Sequence, residues 1–157
     1  MTINPDLQGR SYPAKEVYDV GREKIREFAR AVKATHPAHF EVDAARALGH
    51  SDLVAPPTFA IIVAQRADAQ LIEDPDAGID FSRVVHADQR FIHHRPIIAG
   101  DRLVAELHVD GVRAMGGGAM ITTRSEIFAL AAGATDGTAR EAVTTATSSI
   151  LVRGEGQ

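Results

Sequence analysis

The clearest helical pattern lies in residues 22–33, where apolar side chains recur at helical spacing. Ile25, Phe28, Ala29 and Val32 stand at i, i+3, i+4 and i+7 and form one apolar stripe. Charged residues of both signs fill the opposite face, which is interpreted as a solvated face rather than a binding surface. The pattern therefore predicts an amphipathic helix that packs one side on a core.

A second helix is predicted over residues 57–71, and its first two turns are apolar on all sides. Pro57 suits a first helical turn, where a missing N–H costs no hydrogen bond, and no glycine follows until Gly78. The later turns carry polar side chains, at Gln65, Arg66, Asp68 and Gln70. A helix that is apolar all round at one end requires a partner that surrounds it.

Shorter elements fill the rest of the first half. Residues 12–20 contain β-branched and aromatic residues and predict one short strand after Pro13. Residues 43–48 predict a short helix, with Asp43 as its N-cap and Gly49 as the residue beyond its end.

From residue 83 onward the period changes to two, which is typical of strands. Four strands are predicted, over residues 84–92, 103–112, 120–130 and 140–152. In the first, one face is predicted to hold Val85, Ala87, Gln89 and Phe91; in the second, one face holds Leu103, Ala105, Leu107 and Val109. Residues 116–118 are predicted as a loose hairpin loop and residues 132–137 as a turn.

This order of elements predicts an α+β class. Four long antiparallel strands joined by short turns form a sheet with one face covered. The only segment apolar enough to be wrapped by that sheet is the helix over residues 57–71. The predicted architecture is therefore a hot-dog fold, in a single copy because no internal repeat is apparent.

Composition narrows the class of function. The 157 residues suit one domain, with flexible ends expected at about 1–10 and 154–157. A net charge of −4 argues against nucleic acid or an anionic membrane as the main partner, and the absence of cysteine excludes thiolate chemistry. No signal peptide or membrane-spanning run is visible, so the cytoplasm is the expected location.

Three stretches carry a resemblance to a known family. They are residues 28–39 (FARAVKATHPAH), residues 44–59 (AARALGHSDLVAPPTF) and residues 91–101 (FIHHRPIIAGD). Together they resemble the MaoC-like, or (R)-specific hydratase, branch of the hot-dog superfamily. The combination is most similar to the FAS1-like dehydratase group, which includes the substrate-holding subunits of heterodimeric (3R)-hydroxyacyl-ACP dehydratases in fatty acid elongation.

In that family an Asp and a His on one loop share the proton transfers. Here His39 stands at the position of the family's His and Pro37 at that of its Pro. His36 replaces an Asn, however, and Ala34 replaces the Asp. The resemblance therefore implies a retained base without its acid, because an alanine cannot exchange a proton.

Two further family features are changed. Val32 and Lys33 replace a small residue followed by Gly, the pair that lets the loop approach the thioester. Pro57 stands where catalytic members carry a Gly whose backbone N–H polarises the thioester carbonyl, and proline has no N–H to donate.

The expected function is accordingly a subunit of a (3R)-hydroxyacyl-thioester dehydratase that binds the acyl chain but does not itself catalyse. Its partners would be a second hot-dog subunit and an acyl-ACP or acyl-CoA, and no cofactor is expected. His39 is the candidate catalytic residue, although insufficient alone. Candidate substrate-binding residues, which also have the character of core residues, are Pro57, Thr58, Phe59, Ile62 and Val63.

Two alternatives remain open. One is a self-sufficient enoyl-thioester hydratase with a rearranged site, in which His39 is the base and Glu41 or Asp43 the acid. The other is a homodimeric protein that only binds an acyl thioester.

Metal binding is not expected, although the chain contains histidine pairs. His36 and His39 lie on a proline-containing loop that does not hold them on one helical face. His93 and His94 are predicted to point to opposite sides of a strand.

Overall fold

The strand-like segments of the second half form the sheet that dominates the fold. The computed structural model describes residues 3–134 and 139–156. Within these ranges the strands are β1 (Ser11–Tyr12), β2 (Tyr18–Asp19), β3 (Val84–His93), β4 (Arg102–Met115), β5 (Gly118–Leu130) and β6 (Arg140–Val152). The α-helices are α1 (Arg22–Ala31), α2 (Val42–Ala47) and α3 (Ile61–Ile72). The sheet is antiparallel, in the order β1-β4-β5-β6-β3, and β2 pairs with β4 as well.

The sheet wraps α3, as the sequence predicted, so the α+β architecture is confirmed. Leu103 and Leu107 of β4 and Ile121 and Ile127 of β5 are buried against the helix, whose Leu71 is fully buried. The last four strands were predicted correctly, although β4 extends beyond residues 103–112. Part of the turn predicted over residues 132–137 lies outside the described residues.

Helix α3 begins later than predicted. Residues 57–60 form a turn, in which Phe59 N–H donates to Pro56 O at 2.9 Å and Ile61 N–H donates to Thr58 O at 3.1 Å. These i→i+3 bonds are tighter than α-helical ones, and the regular helix starts at Ile61. The two prolines therefore stand before the helix rather than in its first turn.

Two smaller predictions also need correction. Residues 12–20 do not form one strand but two short ones, β1 and β2, on either side of an exposed segment. The N-cap of α2 is Glu41 rather than Asp43, which lies in the first turn instead. Gly49 does follow that helix in the left-handed conformation, with φ of 93°, as predicted.

The β4–β5 hairpin is tight rather than loose. Met115 pairs with Gly118, so the turn contains only Gly116 and Gly117, with φ of 52° and 85°. Two consecutive positive φ angles define a hairpin turn that glycine adopts without strain. A Cβ on Gly118 would clash with Val152 O, so that position has no room for a side chain.

Both chain ends, expected to be flexible, have contacts with the domain over their described residues. Leu7 is fully buried, and Gly9 N–H donates to Val109 O at 2.8 Å. A Cβ on Gly154 would lie 2.6 Å from Gly117 O, which shows how closely the carboxyl-terminal segment approaches the hairpin. That the whole chain is a single domain stays a prediction.

Strand β3 lies at the edge of the sheet and contains a bulge. His86 pairs with Ile150 and Asp88 with Ser149, which leaves Ala87 as the extra residue. The bulge reverses the alternation, so Gln89 faces the same side as His86 rather than the side of Val85. The prediction that one face holds Val85, Ala87, Gln89 and Phe91 is therefore wrong. The other edge of β3 has no partner strand in the described parts of the chain.

Candidate functional site

A cavity of about 570 Å³ opens beside the turn that precedes α3. Three segments form it: the loop that contains His36 and His39, residues 54–57, and residues 93–97, which begin at the last residue of β3. Its walls carry four imidazoles, from His36, His39, His93 and His94. The structure thus brings together two histidine pairs that are more than 50 residues apart in sequence.

His39 presents a nitrogen suited to act as a base. Its Nδ1 lies 2.6 Å from Val54 O, and a carbonyl oxygen only accepts hydrogen bonds. Nδ1 must therefore carry the proton in this contact, and the neutral ring keeps its lone pair on Nε2.

His36 holds the opposite tautomer. Its Nδ1 accepts a hydrogen bond from Ala38 N–H at 3.1 Å and caps the short 3₁₀ helix Pro37–His39. Nδ1 must therefore be unprotonated, and the proton of the neutral ring lies on Nε2. The centroids of the His36 and His39 rings are 6.1 Å apart.

His93 and His94 both line the cavity, yet their side chains contact consecutive residues of β6. Consecutive strand residues face opposite sides of a sheet, which agrees with the prediction that the two histidines point apart. His93 Nδ1 lies 3.1 Å from Thr144 Oγ1, and His94 Nε2 lies 3.4 Å from Thr145 Oγ1. In the part of the chain that the structure describes, no three His, Asp or Glu side chains are grouped to hold a metal ion.

No carboxylate of the described residues lines this cavity. Glu41 and Asp43, the acids of the rearranged-site alternative, are exposed and do not contribute to its walls. Ala34 supplies no acid at the position that the family resemblance assigns to Asp. Pro56 and Pro57 line the cavity without a backbone N–H to offer.

The Arg-Pro…Gly-Asp stretch proves to be a support for the cavity wall. Arg95 forms a bidentate ion pair with Asp101, at 2.9 and 3.0 Å, and Ile98 N–H donates to the same carboxylate at 2.9 Å. The hydrogen bonds that Arg95 donates to Asp101 raise the pKa of the arginine further above its ordinary value. Gly100, with φ of 96°, provides the turn that brings the two side chains together.

The candidate substrate-binding residues divide into three groups. Pro57 lines the cavity, whereas Thr58 is exposed to solvent. Phe59 and Val63 are buried in the core, and Ile62 is half-buried, and none of these three lines the cavity. A larger cleft, of about 1160 Å³, lies between residues 78–83 and the β4–β5 hairpin, and none of the four histidines lines it.

Lys33 explains one departure from the family motif. It occupies the left-handed region, with φ of 59°, immediately after α1. Ala34 N–H donates to Ala29 O at 2.8 Å and Lys33 N–H donates to Arg30 O, which together form a Schellman motif. The backbone shape that the family's Gly adopts freely is therefore retained here by a lysine.

Lys33→Gly is expected to raise the free energy of unfolding by about 0.5–1 kcal/mol, because glycine adopts a positive φ at no steric cost. Urea denaturation of the two proteins measures this difference. Lys33→Ala serves as the control, since it removes the charge but not the Cβ. A Gly variant no more stable than the Ala variant would contradict the explanation.

Asp68 is the residue that sequence reasoning missed. It was interpreted as one of the polar, solvent-facing side chains in the later turns of the helix, yet only 7% of its surface is exposed. The signal was available, because Ala64, Ala67, Asp68 and Leu71 stand at i, i+3, i+4 and i+7. Thr123 Oγ1 donates to the carboxylate at 3.0 Å, and burial raises the pKa of Asp68 to about 6.

A sheet wrapped around a central helix, with a histidine loop beside the start of that helix, defines a hot-dog protein of the MaoC-like class. The family model of the FAS1-like dehydratase domain region matches residues 6–131. The chain therefore belongs to the FAS1-like dehydratase domain family.

Individual relatives agree with this assignment. A UPF0336 protein of Clavibacter michiganensis subsp. michiganensis (strain NCPPB 382) is 50% identical over 155 residues, which cover 99% of each chain. The structure is similar to a chain of the C-terminally truncated HadBC (3R-hydroxyacyl-ACP dehydratase) complex from Mycobacterium tuberculosis, with 36% identity, a TM-score of 0.78, and coverage of 93% of this chain and 97% of that one.

A second structural neighbour supports the fold alone. It is a Mycobacterium tuberculosis protein described as having a double hotdog fold, with 17% identity and a TM-score of 0.74. The alignment covers 96% of this chain and 41% of that protein. The predicted fold is thereby confirmed. In the described ranges, no helix is both long and apolar enough to span a membrane.

Proposed function

We propose that this chain is the non-catalytic, acyl-chain-binding subunit of a (3R)-hydroxyacyl-thioester dehydratase. A second hot-dog chain would supply the catalytic acid and base, and the substrate would be an acyl-ACP or acyl-CoA of fatty acid elongation. One observation carries the proposal: the cavity at the family's catalytic position contains imidazoles but no carboxylate among the described residues.

The chemistry sets three requirements. Dehydration needs a base for the C2 proton, an acid for the departing hydroxyl, and a hydrogen-bond donor for the thioester oxygen. His39 Nε2 meets the first requirement. Pro57 cannot meet the third, because it has no N–H.

His36 does not replace the missing acid. A strong acid here would be the doubly protonated imidazolium, which has no lone pair on either nitrogen. The Nδ1 of His36 accepts a hydrogen bond from Ala38 N–H, so protonation of that nitrogen would break the cap of the 3₁₀ helix. Because this nitrogen is already used as the cap, we do not assign the missing acid to His36.

The partner is inferred from the sheet edge and from the relatives. Strand β3 offers an edge without a neighbouring strand in the described residues, and sheet edges of this length are usually covered. The HadBC neighbour is described as a complex that forms a 3R-hydroxyacyl-ACP dehydratase. We extend the same kind of pairing, and a cytoplasmic location, to this chain as part of the proposal.

The self-sufficient hydratase receives less support. Its proposed acids, Glu41 and Asp43, point to solvent rather than into the cavity. The homodimeric acyl-binding protein stays an alternative, because it needs the same cavity and the same edge. Of the candidate substrate-binding residues, Pro57 keeps the strongest support, while Phe59 and Val63 act first as core residues.

The test is an assay of the purified chain for hydration of trans-2-enoyl thioesters of several lengths. We expect no turnover above that of the His39→Ala variant, because one base alone lacks the acid and the oxyanion donor. Turnover that falls about 100-fold or more in His39→Ala would overturn the non-catalytic assignment.

Two further arms separate the alternatives. Glu41→Gln and Asp43→Asn should leave any residual rate unchanged, whereas the rearranged-site hydratase requires one of them to abolish it. Mixing the chain with a hot-dog chain that carries the complete Asp and His motif should produce activity. Binding of a fluorescent acyl thioester without any such gain would favour the acyl-binding homodimer.

A further inference from the structure

Two histidines on the cavity wall form a pair with opposite proton positions. His39 Nδ1 lies 2.6 Å from Val54 O, which only accepts, so the neutral ring carries its proton on Nδ1 and its lone pair on Nε2. His36 Nδ1 accepts from Ala38 N–H at 3.1 Å, so that neutral ring carries its proton on Nε2. The Nε2 of His39 therefore accepts a hydrogen bond, and the Nε2 of His36 donates one.

The backbone fixes both proton positions. A carbonyl oxygen has no proton to give and an amide N–H has no lone pair, so neither contact reverses while the loop keeps its fold. The loop is also tied to the segment before α3, because Val54 N–H donates to Ala38 O at 3.1 Å. The acceptor and the donor are thus set before any ligand arrives.

The two rings are close enough to contact one small group. Their centroids are 6.1 Å apart and their planes are inclined by 71°. Two nitrogens that share one hydroxyl oxygen lie about 4.5 to 5.5 Å apart, because each hydrogen bond is about 2.8 Å long. The ring separation permits this arrangement. Both residues line the cavity, His39 half-buried and His36 exposed, so a ligand in the cavity can reach both.

A hydroxyl group is the ligand chemistry that satisfies both nitrogens. It donates its proton to His39 Nε2 and accepts the proton of His36 Nε2. A carbonyl or carboxylate oxygen has no proton for His39, and an ammonium group has no lone pair for His36. Pro56 and Pro57, which line the same cavity, offer no N–H to a carbonyl oxygen.

We propose that His36 and His39 form a hydroxyl-binding site, and that its ligand is a 3-hydroxyacyl thioester, which the chain holds without reaction. The inference rests on the proposed function for the thioester, and it adds the group by which this chain selects its ligand. His36, which departs from the family motif, supplies the donor. No carboxylate of the described residues lines the cavity, so the bound hydroxyl meets no acid that would make it leave.

The expected selectivity is moderate. Water makes the same two hydrogen bonds, so a ligand hydroxyl gains only the net value of the exchange. A ligand without the hydroxyl, however, leaves the donor and the acceptor unpaired against an apolar chain. We therefore expect a 3-hydroxyacyl thioester to bind about tenfold more tightly than the saturated thioester of the same length.

Isothermal titration calorimetry of the purified chain with (3R)-hydroxyhexanoyl-CoA and with hexanoyl-CoA measures this selectivity. The two probes share the CoA group, the thioester and the chain length, so the ratio of their Kd values reports on the hydroxyl alone. His36→Asn and His39→Asn should each reduce the ratio to about threefold or less. Asparagine can keep each backbone contact, through Oδ1 at position 36 and Nδ2 at position 39, but it has no atom in the place of Nε2.

His50→Asn is the matched control, because His50 is half-buried and does not line the cavity. This variant should keep the wild-type ratio. Equal affinity of the wild type for both probes would overturn the proposal, and so would no binding of the hydroxylated probe. A ratio unchanged in His36→Asn, or reduced as much in His50→Asn, would also overturn it.

Nitrogen-15 NMR of the wild-type imidazoles gives a readout that does not depend on any variant. At pH 8.5, where an imidazole is ordinarily neutral, the proton should lie on Nε2 of His36 and on Nδ1 of His39. The same tautomer in both rings would contradict the hydroxyl-binding site.

These outcomes are separate from those of the hydration assay. A chain that hydrates enoyl thioesters alone defeats the proposed function, whatever the ratio of the two Kd values. Equal binding of both probes without any turnover defeats the hydroxyl-binding site and leaves the acyl-binding subunit in place.

Discussion

Replacing Phe59 with alanine is expected to lower the free energy of unfolding by about 3–5 kcal/mol. The Phe59 ring is fully buried and meets two other rings edge-on, Phe28 at 5.4 Å and Tyr18 at 6.3 Å between centroids. Its removal would leave a cavity where α1, β2 and the turn before α3 meet, and would also lose both aromatic contacts. Urea denaturation monitored by circular dichroism measures the change.

Phe81→Ala is the matched control, because that ring is 70% exposed and its loss should change stability by less than about 0.5 kcal/mol. The pair of variants also tests the second role that the sequence suggested for Phe59, the lining of an acyl tunnel. A Phe59→Ala protein that keeps wild-type stability but loses acyl-thioester binding would show that the ring lines a ligand site instead of the core.

Asp68→Asn is expected to stabilise the isolated chain by about 1–3 kcal/mol above pH 7. Burial raises the pKa of Asp68 to about 6 from an ordinary value of 3.8. The folded protein therefore holds this proton more tightly than the unfolded chain, and stability declines as the pH rises from about 4 through 6. The difference between the two pKa values corresponds to about 3 kcal/mol, part of which the buried amide of Asn would cost again.

Unfolding at pH 7.5 and pH 4.5, at protein concentrations low enough to prevent association, measures this effect. The gain should be present at pH 7.5 and small at pH 4.5, where Asp68 is protonated in the folded state. Asp43→Asn, at an exposed position on α2, should change stability little at either pH. Equal destabilisation by Asp68→Asn at both pH values would mean that the hydrogen bond from Thr123 contributes more to stability than the charge of Asp68 does.

The spacing of apolar residues predicted the helices and strands, because burial of one face of an element imposes that spacing. The alternation of Leu103, Leu107 and Val109 placed one face of β4 in the core, and the stripe through Ile25 placed α1. Residues 140–152 were predicted with the bounds that β6 has in the structure. These features depend on local repetition, which a single sequence displays directly.

The errors occurred where one residue changes the local geometry. Ala87 adds a residue to β3, so each side chain after it faces the opposite side of the sheet from the one that simple alternation predicts. No feature of the composition marks a bulge of this type. The hairpin was tighter than expected because two of its three glycines form the turn and Gly118 already belongs to β5.

The sequence predicted which residue types the candidate site would contain, but it did not predict how the segments that form the cavity come together. His39, Ala34 and Pro57 could be aligned with the family motif, and the loss of acid and donor followed from their side chains. The approach of His93 and His94 to the same cavity depends on where β3 ends and how the chain turns at Pro96. Asp68 was visible in the helical stripe, but a charged residue there was assigned to solvent because carboxylates are rarely buried.

The bulge at Ala87 also affects how readily the unassembled chain aggregates. A long, regular free edge allows strand after strand to add, which is the route to aggregates. In β3 only residues 88–93 remain between the bulge and the end of the strand, and two of them, Asp88 and Arg90, are charged and exposed. An unassembled copy should therefore resist aggregation, because the bulge and the charged residues interrupt the regular edge that repeated strand addition requires.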